Sequence, residues 1–328
     1  MKSLRPALAL ILVAPLVAEI LPGSAPLSRP GLLPFIVLIY GPGALLIRDV
    51  LRRRGRGWIG ILLLGAAYGF IEEGIALQSL FNPDLYNASA WGRLGPVNAV
   101  YTEAVIPIHA IWSAAIPILL TDLLFPERRG LPYLGRVGLI VTGCWYAAGV
   151  VLLGLLTRFS IAPGYRAAPV LLAASAAAAL LLLIVALCVP RGAAQPRYGG
   201  KPLSCRATLL ATAAAGLIWH VLIAGLWRID PVFANWPLVL VPMLGAASLL
   251  VAAYWFVSRW CAAPGWCDRH WLALAAGAVI AHSVFGVVIF THSALDRAGI
   301  VVLESILLLL ATARVQHAPR MDSVPPAR

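Results

Sequence analysis

The stretch that decides the fold is residues 65–79, GAAYGFIEEGIALQS, at the end of an apolar run that begins near Trp58. Two adjacent carboxylates, Glu72 and Glu73, lie inside a segment that otherwise has the composition of a membrane-spanning helix. A charged side chain at the centre of a bilayer costs about 2.5 kcal/mol or more, and such residues commonly mark a functional site. This stretch therefore indicates both a membrane protein and the place where its chemistry is expected.

The composition of the whole chain supports an integral membrane protein. Of its 328 residues, 61% are hydrophobic and 12% are charged, whereas soluble domains contain about 25% charged residues. The net charge of +12 does not indicate nucleic acid, because the basic residues form short clusters between apolar runs. The partner we expect is membrane lipid. The richness in Ala, Leu, Gly and Arg is typical of a GC-rich bacterial genome and points to the bacterial inner membrane.

Apolar stretches long enough to cross a bilayer, which takes about 20 residues, recur along the chain. We identify about ten, with a range of eight to ten: residues 5–22, 32–51, 58–80, 98–125, 136–157, 168–189, 207–227, 236–258, 271–292 and 298–313. They predict an all-α polytopic transmembrane helix bundle that forms one domain over residues 1–313. The rest, 314–328, is predicted to be a disordered cytoplasmic tail.

The distribution of basic residues predicts the orientation of this bundle. With the N-terminus inside, nineteen of the 25 lysines and arginines fall on inner segments and six on outer ones, as the positive-inside rule requires. Both termini are then cytoplasmic. Within the second span, Gly41-Pro42-Gly43 predicts a break or a kink, because proline cannot continue the hydrogen-bond ladder of a helix.

Several titratable side chains lie at a similar depth in the predicted outer half of the bundle. At 1.5 Å per residue, Glu72 lies about 12 Å from the outer end of its span, and His109 about 16 Å. By the same rise, His220 lies about 10 Å and His282 about 15 Å from the outer ends of theirs. A shared layer predicts a common polar cavity. The competing interpretation is that each of the two later histidines only makes a structural hydrogen bond.

Other charged residues have simpler interpretations. Glu19 and Glu304 lie near span ends and are expected to reach the membrane interface. Asp122 is interpreted as an interfacial charge near the inner end of the fourth span. Arg48, followed by Asp49, is expected to mark the inner end of the second span.

The faces of the third span separate the two glutamates. Residues three and four apart share a helix face, so Tyr68, Glu72 and Ser79 form one polar stripe. Glu73 points about 100° away from that stripe. Either Glu72 faces a cavity while Glu73 braces a neighbouring helix, or the reverse holds.

The order of these residues resembles the CaaX-protease and bacteriocin-processing (CPBP) family of intramembrane proteases. That family has the motifs E-E-x-x-x-R, F-x-x-x-H and H-x-x-x-N/D on successive parts of the chain. Residues 72–77 fill the first motif except that Leu77 stands in place of the arginine. Val105-x-x-x-His109 fills the second with Val for Phe, and His282 begins the third with Gly286 as its last residue.

The resemblance implies a glutamate-dependent intramembrane hydrolase. Glu72 would act as general base on a water, with Glu73 in support. His109 would orient or protonate the leaving group. His282 or His220 would donate a hydrogen bond to the oxyanion.

Further side chains complete the predicted site. Tyr68, Glu103, Ser113 and His220 are expected to contribute to binding. A metal held by the acidic and imidazole groups is chemically feasible, but the chain contains no H-E-x-x-H motif. We therefore predict no metal and no other cofactor.

Three functions are compatible with the sequence. The first is a hydrolase acting on a membrane-embedded peptide or a lipid-linked substrate, which a closed pocket joining Glu72 and His109 would favour. The second is a proton- or cation-coupled transporter or permease for an ionic substrate, which a continuous path from Glu72 to Gly41 would favour. The third is a non-catalytic scaffold, favoured if both glutamates pair with loop arginines.

Overall fold

A computed structural model describes residues 4–189, 200–291 and 293–317. These residues form a bundle of helices, and no strand occurs among them. In the same part of the chain, nine helices are long and apolar enough to cross a membrane. The predicted all-α polytopic fold is thereby confirmed.

The long helices follow the predicted spans to within a few residues at most ends. We number them in chain order and include the shorter first helix. They are α1 (Arg5–Pro15, continued by Leu16–Ile20), α2 (Leu33–Arg53), α3 (Trp58–Ala76), α4 (Ala99–Leu124), α5 (Arg136–Ile161), α6 (Pro169–Cys188), α7 (Cys205–Ile229), α8 (Leu240–Cys261), α9 (Asp268–Ile289) and α10 (Ala294–His317).

The two ends of the chain differ from the prediction. Helix α1 stops at Ile20 and is too short to count among the nine; Gly23, at φ +75°, turns the chain soon afterwards. Helix α10 extends to His317, because Arg314 donates hydrogen bonds to the Leu124 carbonyl and to Glu127. Residues 314–317 are therefore helical. The rest of the predicted disordered tail, 318–328, lies outside the described residues, as do residues 190–199 and residue 292.

Helix α2 is continuous through its Gly-Pro-Gly motif, so the chain does not break there. Pro42 leaves the Leu38 carbonyl without its helical donor. Gly149 of α5 packs against that oxygen, and a Cβ on this glycine would lie 2.7 Å from it. On the α1 side, a Cβ on Gly41 would lie 2.7 Å from the carbonyl oxygen of Ile11. The small residues therefore serve close helix packing, which shields the weakened turn from lipid.

Glycines also bring α3 and α4 into close contact. A Cβ on Gly65 would lie 2.7 Å from the Cα of Ala110, and one on Gly69 would lie 3.1 Å from Cδ2 of His109. Small residues at a helix interface allow the two backbones to approach. The face of α3 that leads to Glu72 is thus held directly against α4.

A cluster of buried ion pairs lies at the predicted inner end of α2. Nε of Arg48 donates to Oδ1 of Asp122 at 2.9 Å, and neither side chain has exposed surface. Asp49 accepts hydrogen bonds from the backbone N–H groups of Tyr133 and Leu134. The expectation of an interfacial Asp122 is corrected: the loop after α4 folds over this residue, so its charge is neutralised inside the protein.

Candidate functional site

Three helices change to π-helical geometry where they meet. The segments are Leu16–Ile20 of α1, Phe70–Ala76 of α3 and His109–Ala115 of α4. A π-turn bonds residue i to residue i+5, and such turns occur frequently at functional sites. These segments carry Glu19, Glu72, Glu73, His109 and Ser113.

The side chain of Glu73 is buried and fully hydrogen-bonded. Its Oε1 lies 3.1 Å from Nε2 of His109. Its Oε2 accepts from the hydroxyls of Tyr101, at 3.0 Å, and Ser79. Gln78, at φ +56°, makes the turn that directs Ser79 back toward this carboxylate. Glu73 is therefore held in place by three partners, which suits a group that positions another.

Glu72 differs from its neighbour because one of its oxygens has no partner. Oε1 lies 2.8 Å from the hydroxyl oxygen of Tyr40, within hydrogen-bond distance. Oε2 is buried, makes no hydrogen bond, and lies 3.9 Å from Nδ1 of His109. Only 3% of the residue surface is exposed. A buried carboxylate oxygen without a donor has its full hydrogen-bonding capacity available for a ligand or a water.

The ring of His109 lies between the two glutamates. Nε2 faces Glu73, whereas Nδ1 faces Glu72 and also lies 3.1 Å from the hydroxyl of Ser113. With Nε2–H donating to the carboxylate, the neutral ring accepts from Ser113 at Nδ1. The two carboxylates therefore share one imidazole through different nitrogens, an arrangement that the separation of their helix faces did not reveal.

The cluster includes residues that sequence reasoning missed or assigned elsewhere. Glu19, expected at the interface, lies 2.6 Å from the hydroxyl oxygen of Tyr40 and accepts from the Ser24 hydroxyl at 2.7 Å. Tyr40 joins it to Glu72, and Tyr101 contacts Glu73. In the sequence, the only indication that Glu19 belongs with these residues was its predicted depth in the outer half of the membrane. Tyrosines near span ends resemble ordinary interfacial residues.

The remaining predicted residues divide between this cluster and other places. The Tyr68 ring packs against His109, with ring centres 5.3 Å apart, and its hydroxyl is buried without a hydrogen bond. Ser113 contacts His109, as described above. Glu103 lies on α4, is half-buried, and has an Oε2 atom without a partner. Among the described contacts, none joins Glu103 to either glutamate of α3.

His220 and His282 form a separate pair where α7 packs against α9. Nε2 of His220 lies 3.0 Å from Nδ1 of His282, and its Nδ1 lies 2.7 Å from the Gly216 carbonyl. The ring of Trp112 stacks on His282 with centres 4.7 Å apart. Within the part of the chain that the structure describes, no contact joins this pair to Glu72 or His109. The two histidines are therefore not brought into the cluster.

Metal binding is sterically feasible at the cluster. Glu72, Glu73 and His109 each offer one ligand atom, and these atoms lie within 4.8 Å of one another. Both ring nitrogens of His109 already have partners at 3.1 Å. An ion would have to displace Ser113 or Glu73 from the ring, so the hydrogen-bonding pattern favours the imidazole acting without a metal.

Comparison with known proteins identifies a family but not an activity. The model of a family described as an uncharacterized membrane protein family matches residues 8–316 of the chain. No curated protein and no solved structure matches. The resemblance to CPBP proteases receives no support from these comparisons and stays a prediction.

Proposed function

Starting from membership of this uncharacterized membrane protein family, to which the chain belongs, we propose that the protein is a glutamate-dependent intramembrane hydrolase. The observation that carries the proposal is the environment of Glu72. One oxygen of this buried carboxylate is unpartnered and faces an imidazole 3.9 Å away. A carboxylate beside an imidazole can take a proton from water and return it to a leaving group.

The two glutamates have different roles in this mechanism. Glu72 is the general base, because its Oε2 is available to a water. Glu73 is a positioning residue, since both of its oxygens are already hydrogen-bonded. By fixing Nε2 of His109, it directs Nδ1 toward Glu72, as an orienting carboxylate does in a catalytic triad.

His109 and Tyr68 supply the remaining polar groups. Nδ1 of His109, which faces Glu72, takes from Glu72 the proton that came from water and passes it to the leaving group. Tyr68 precedes Glu72 by four residues and therefore lies on the same helix face. Its buried hydroxyl has no hydrogen-bond partner and is suited to stabilise the developing oxyanion. We assign this role to Tyr68 because His220 and His282 bond to each other instead.

The substrate class follows from the surroundings of the site. Glu72, Glu73 and His109 lie in helices that are long and apolar enough to cross a membrane, and 61% of the residues in the most apolar stretch of α3 are buried inside the protein. A carboxylate in such a place meets substrates that enter from the lipid phase. We therefore propose a membrane-embedded peptide or a lipid-linked ester or amide as substrate, hydrolysed in the predicted outer half of the membrane.

The inner end of the bundle argues against a transport path through α2. Arg48 and Asp122 have no exposed surface and are bonded to each other. The helix is also continuous at Gly41 and does not break there. A transporter needs alternate access from both sides, whereas the polar cluster here approaches only the predicted outer end.

The proposal is tested by following the incorporation of water oxygen into products. Membranes of the protein's own cell, with the chain replaced by the wild type or by Glu72→Gln, are incubated in ¹⁸O-labelled water. Peptides and lipids are then compared by mass spectrometry. We expect labelled carboxyl products to fall at least about 100-fold in the variant, since a general base contributes 10²–10⁴ in rate.

The matched control is Glu304→Gln in α10, a half-buried acid outside the cluster. It should give the wild-type products in the wild-type amounts. Equal labelling by Glu72→Gln, at equal membrane insertion, would overturn the hydrolase proposal. A chelator that abolishes wild-type labelling would show that an ion displaces one of the His109 partners.

A further inference from the structure

The hydroxyl of Tyr40 connects two carboxyl groups and thereby determines how many protons they carry. It lies 2.6 Å from Oε1 of Glu19 and 2.8 Å from Oε1 of Glu72. Both are hydrogen-bond distances for oxygen atoms. A tyrosine hydroxyl donates one hydrogen bond and accepts others, whereas an ionised carboxylate only accepts. One of the two carboxyl groups must therefore be protonated and donate to Tyr40.

The same contacts lead from the buried site toward solvent. Glu72 is 3% exposed. Glu19 is half-buried, and its Oε2 accepts from the hydroxyl of Ser24, which is exposed. Ser24 belongs to the segment after α1 that the charge distribution places outside. The chain of hydrogen bonds thus runs from Glu72 through Tyr40 and Glu19 to the predicted outer surface.

We propose that Glu19 and Tyr40 form a proton relay that discharges Glu72 to the outside. In the relay step, the carboxyl group of protonated Glu72 rotates so that its O–H faces Tyr40, and it gives its proton to the Tyr40 oxygen as Tyr40 gives its own proton to ionised Glu19. One O–H bond breaks and one forms at the tyrosine, so the phenol is regenerated. The products are an ionised Glu72 and a protonated Glu19, which releases the proton to external water.

The relay rests on the proposed function, because it removes protons that Glu72 acquires as a general base. Every water that Glu72 deprotonates leaves it carrying a proton. His109 removes this proton only when the leaving group accepts it. Where the leaving group departs unprotonated, Glu72 needs another exit, and the hydroxyl of Tyr40 lies 2.8 Å from its Oε1. The unpartnered Oε2 faces the reaction while Oε1 faces the relay.

Other titratable groups around the relay do not provide this exit. Glu73 and His109 bond to each other and to Ser79, Tyr101 and Ser113. The Tyr68 hydroxyl is buried and, among the described contacts, leads to no exposed side chain. Among the described residues, only the Tyr40–Glu19 connection ends at an exposed side chain. Glu19 is consequently a positioning and proton-accepting residue, distinct from the groups that face the substrate.

The test measures hydrogen–deuterium exchange of the protonated carboxyl group by infrared spectroscopy. The full-length protein, reconstituted in lipid without substrate, is transferred from H₂O to D₂O. We expect a buried carboxylic acid band in the wild type, and its altered frequency in both Glu19→Gln and Glu72→Gln. Tyr40→Phe keeps the ring but removes the connecting oxygen.

We expect Tyr40→Phe to slow exchange of this band by about tenfold or more, because losing a hydrogen bond worth ~1.5 kcal/mol changes a rate by that factor. Tyr146→Phe is the matched control: the Tyr146 hydroxyl is buried like that of Tyr40 but has no hydrogen-bond partner, so this variant should exchange as the wild type does. Exchange in Tyr40→Phe at the wild-type rate would overturn the relay, as would a band unaffected by Glu19→Gln. Because no substrate is present, this experiment does not depend on hydrolysis by Glu72, which the labelled-water experiment tests separately.

Discussion

Nε2 of His109 lies 3.1 Å from Oε1 of Glu73, and this contact joins the π-helical segments of α3 and α4. Both side chains are buried, at 2% and 5% exposure. A buried charge is tolerated when its hydrogen bonds are satisfied. The arrangement of α3 and α4 therefore depends on the Glu73 carboxylate, which also orients the imidazole. We expect substitution of Glu73 to affect mainly stability and substitution of Glu72 to affect mainly the chemistry.

The first prediction separates Glu73 from Glu72 by stability. Glu73→Gln places an amide N–H₂ where His109, Tyr101 or Ser79 now donates, so one buried donor loses its acceptor. We expect a loss of about 1–3 kcal/mol in the free energy of unfolding. Glu72→Gln keeps the acceptor for Tyr40 and should change stability by less than about 1 kcal/mol. Thermal unfolding in detergent compares the two, and equal destabilisation would contradict the assigned roles.

The second prediction concerns the close approach of α3 and α4. Gly65→Val would place a Cβ 2.7 Å from the Cα of Ala110, so the helices must separate. Overpacking of this kind costs about 1–3 kcal/mol and should also reduce hydrolysis by displacing His109. Gly143→Ala is the control, because no atom lies within 4 Å of its added Cβ. A stable, active Gly65→Val would show that the interface is not closely packed.

The third prediction concerns the buried ion pairs at the inner end. Asp122→Asn removes the buried carboxylate that pairs with both Arg48 and Arg52 and leaves Asp49, 3.8 Å from Arg48, as the nearest remaining countercharge; breaking a buried pair costs about 3–5 kcal/mol. Asp268→Asn removes a partner of Arg129 in a pair that is 34% and 35% exposed, where the expected loss is at most about 1 kcal/mol. Chemical denaturation of the purified variants measures the difference. Similar losses at both sites would mean that Asp122 is accessible to water.

The fourth prediction tests the orientation. Reporter fusions after residues 90 and 197 should report opposite sides of the membrane, with position 90 outside and position 197 inside, because the basic residues concentrate on the inner segments. A fusion after residue 130 serves as the internal control and should agree with position 197; this position lies in the loop whose carbonyl groups at Arg128, Arg129 and Leu131 accept hydrogen bonds from Arg48. Reports of positions 90 and 197 on one side would refute the assigned topology and the outward direction of the relay.

Part of the candidate site could be predicted because its residues stand out against an apolar background. Glu72, Glu73 and His109 are rare in spans, and their depth places them in one layer. Tyr40 and Tyr101 carry no such signal, since tyrosine is common near the ends of spans. Glu19 was assigned to the interface because depth along a helix does not show which neighbour a side chain meets. The histidines of α7 and α9 share the depth of the cluster but pack on another face of α4.

The sequence by itself determined the class of the protein, the positions of its helices and the residues that are costly to bury, because hydropathy and charge act locally and can be read along one chain. Only the tertiary structure decided that Glu73 is saturated while Glu72 keeps an unpartnered oxygen. It also decided that Tyr40 links Glu72 to Glu19. Such distinctions depend on hydrogen-bond partners supplied by other helices. They also depend on π-turns, whose extra residue changes the direction in which the side chains point. The spacing of residues along one helix cannot specify them.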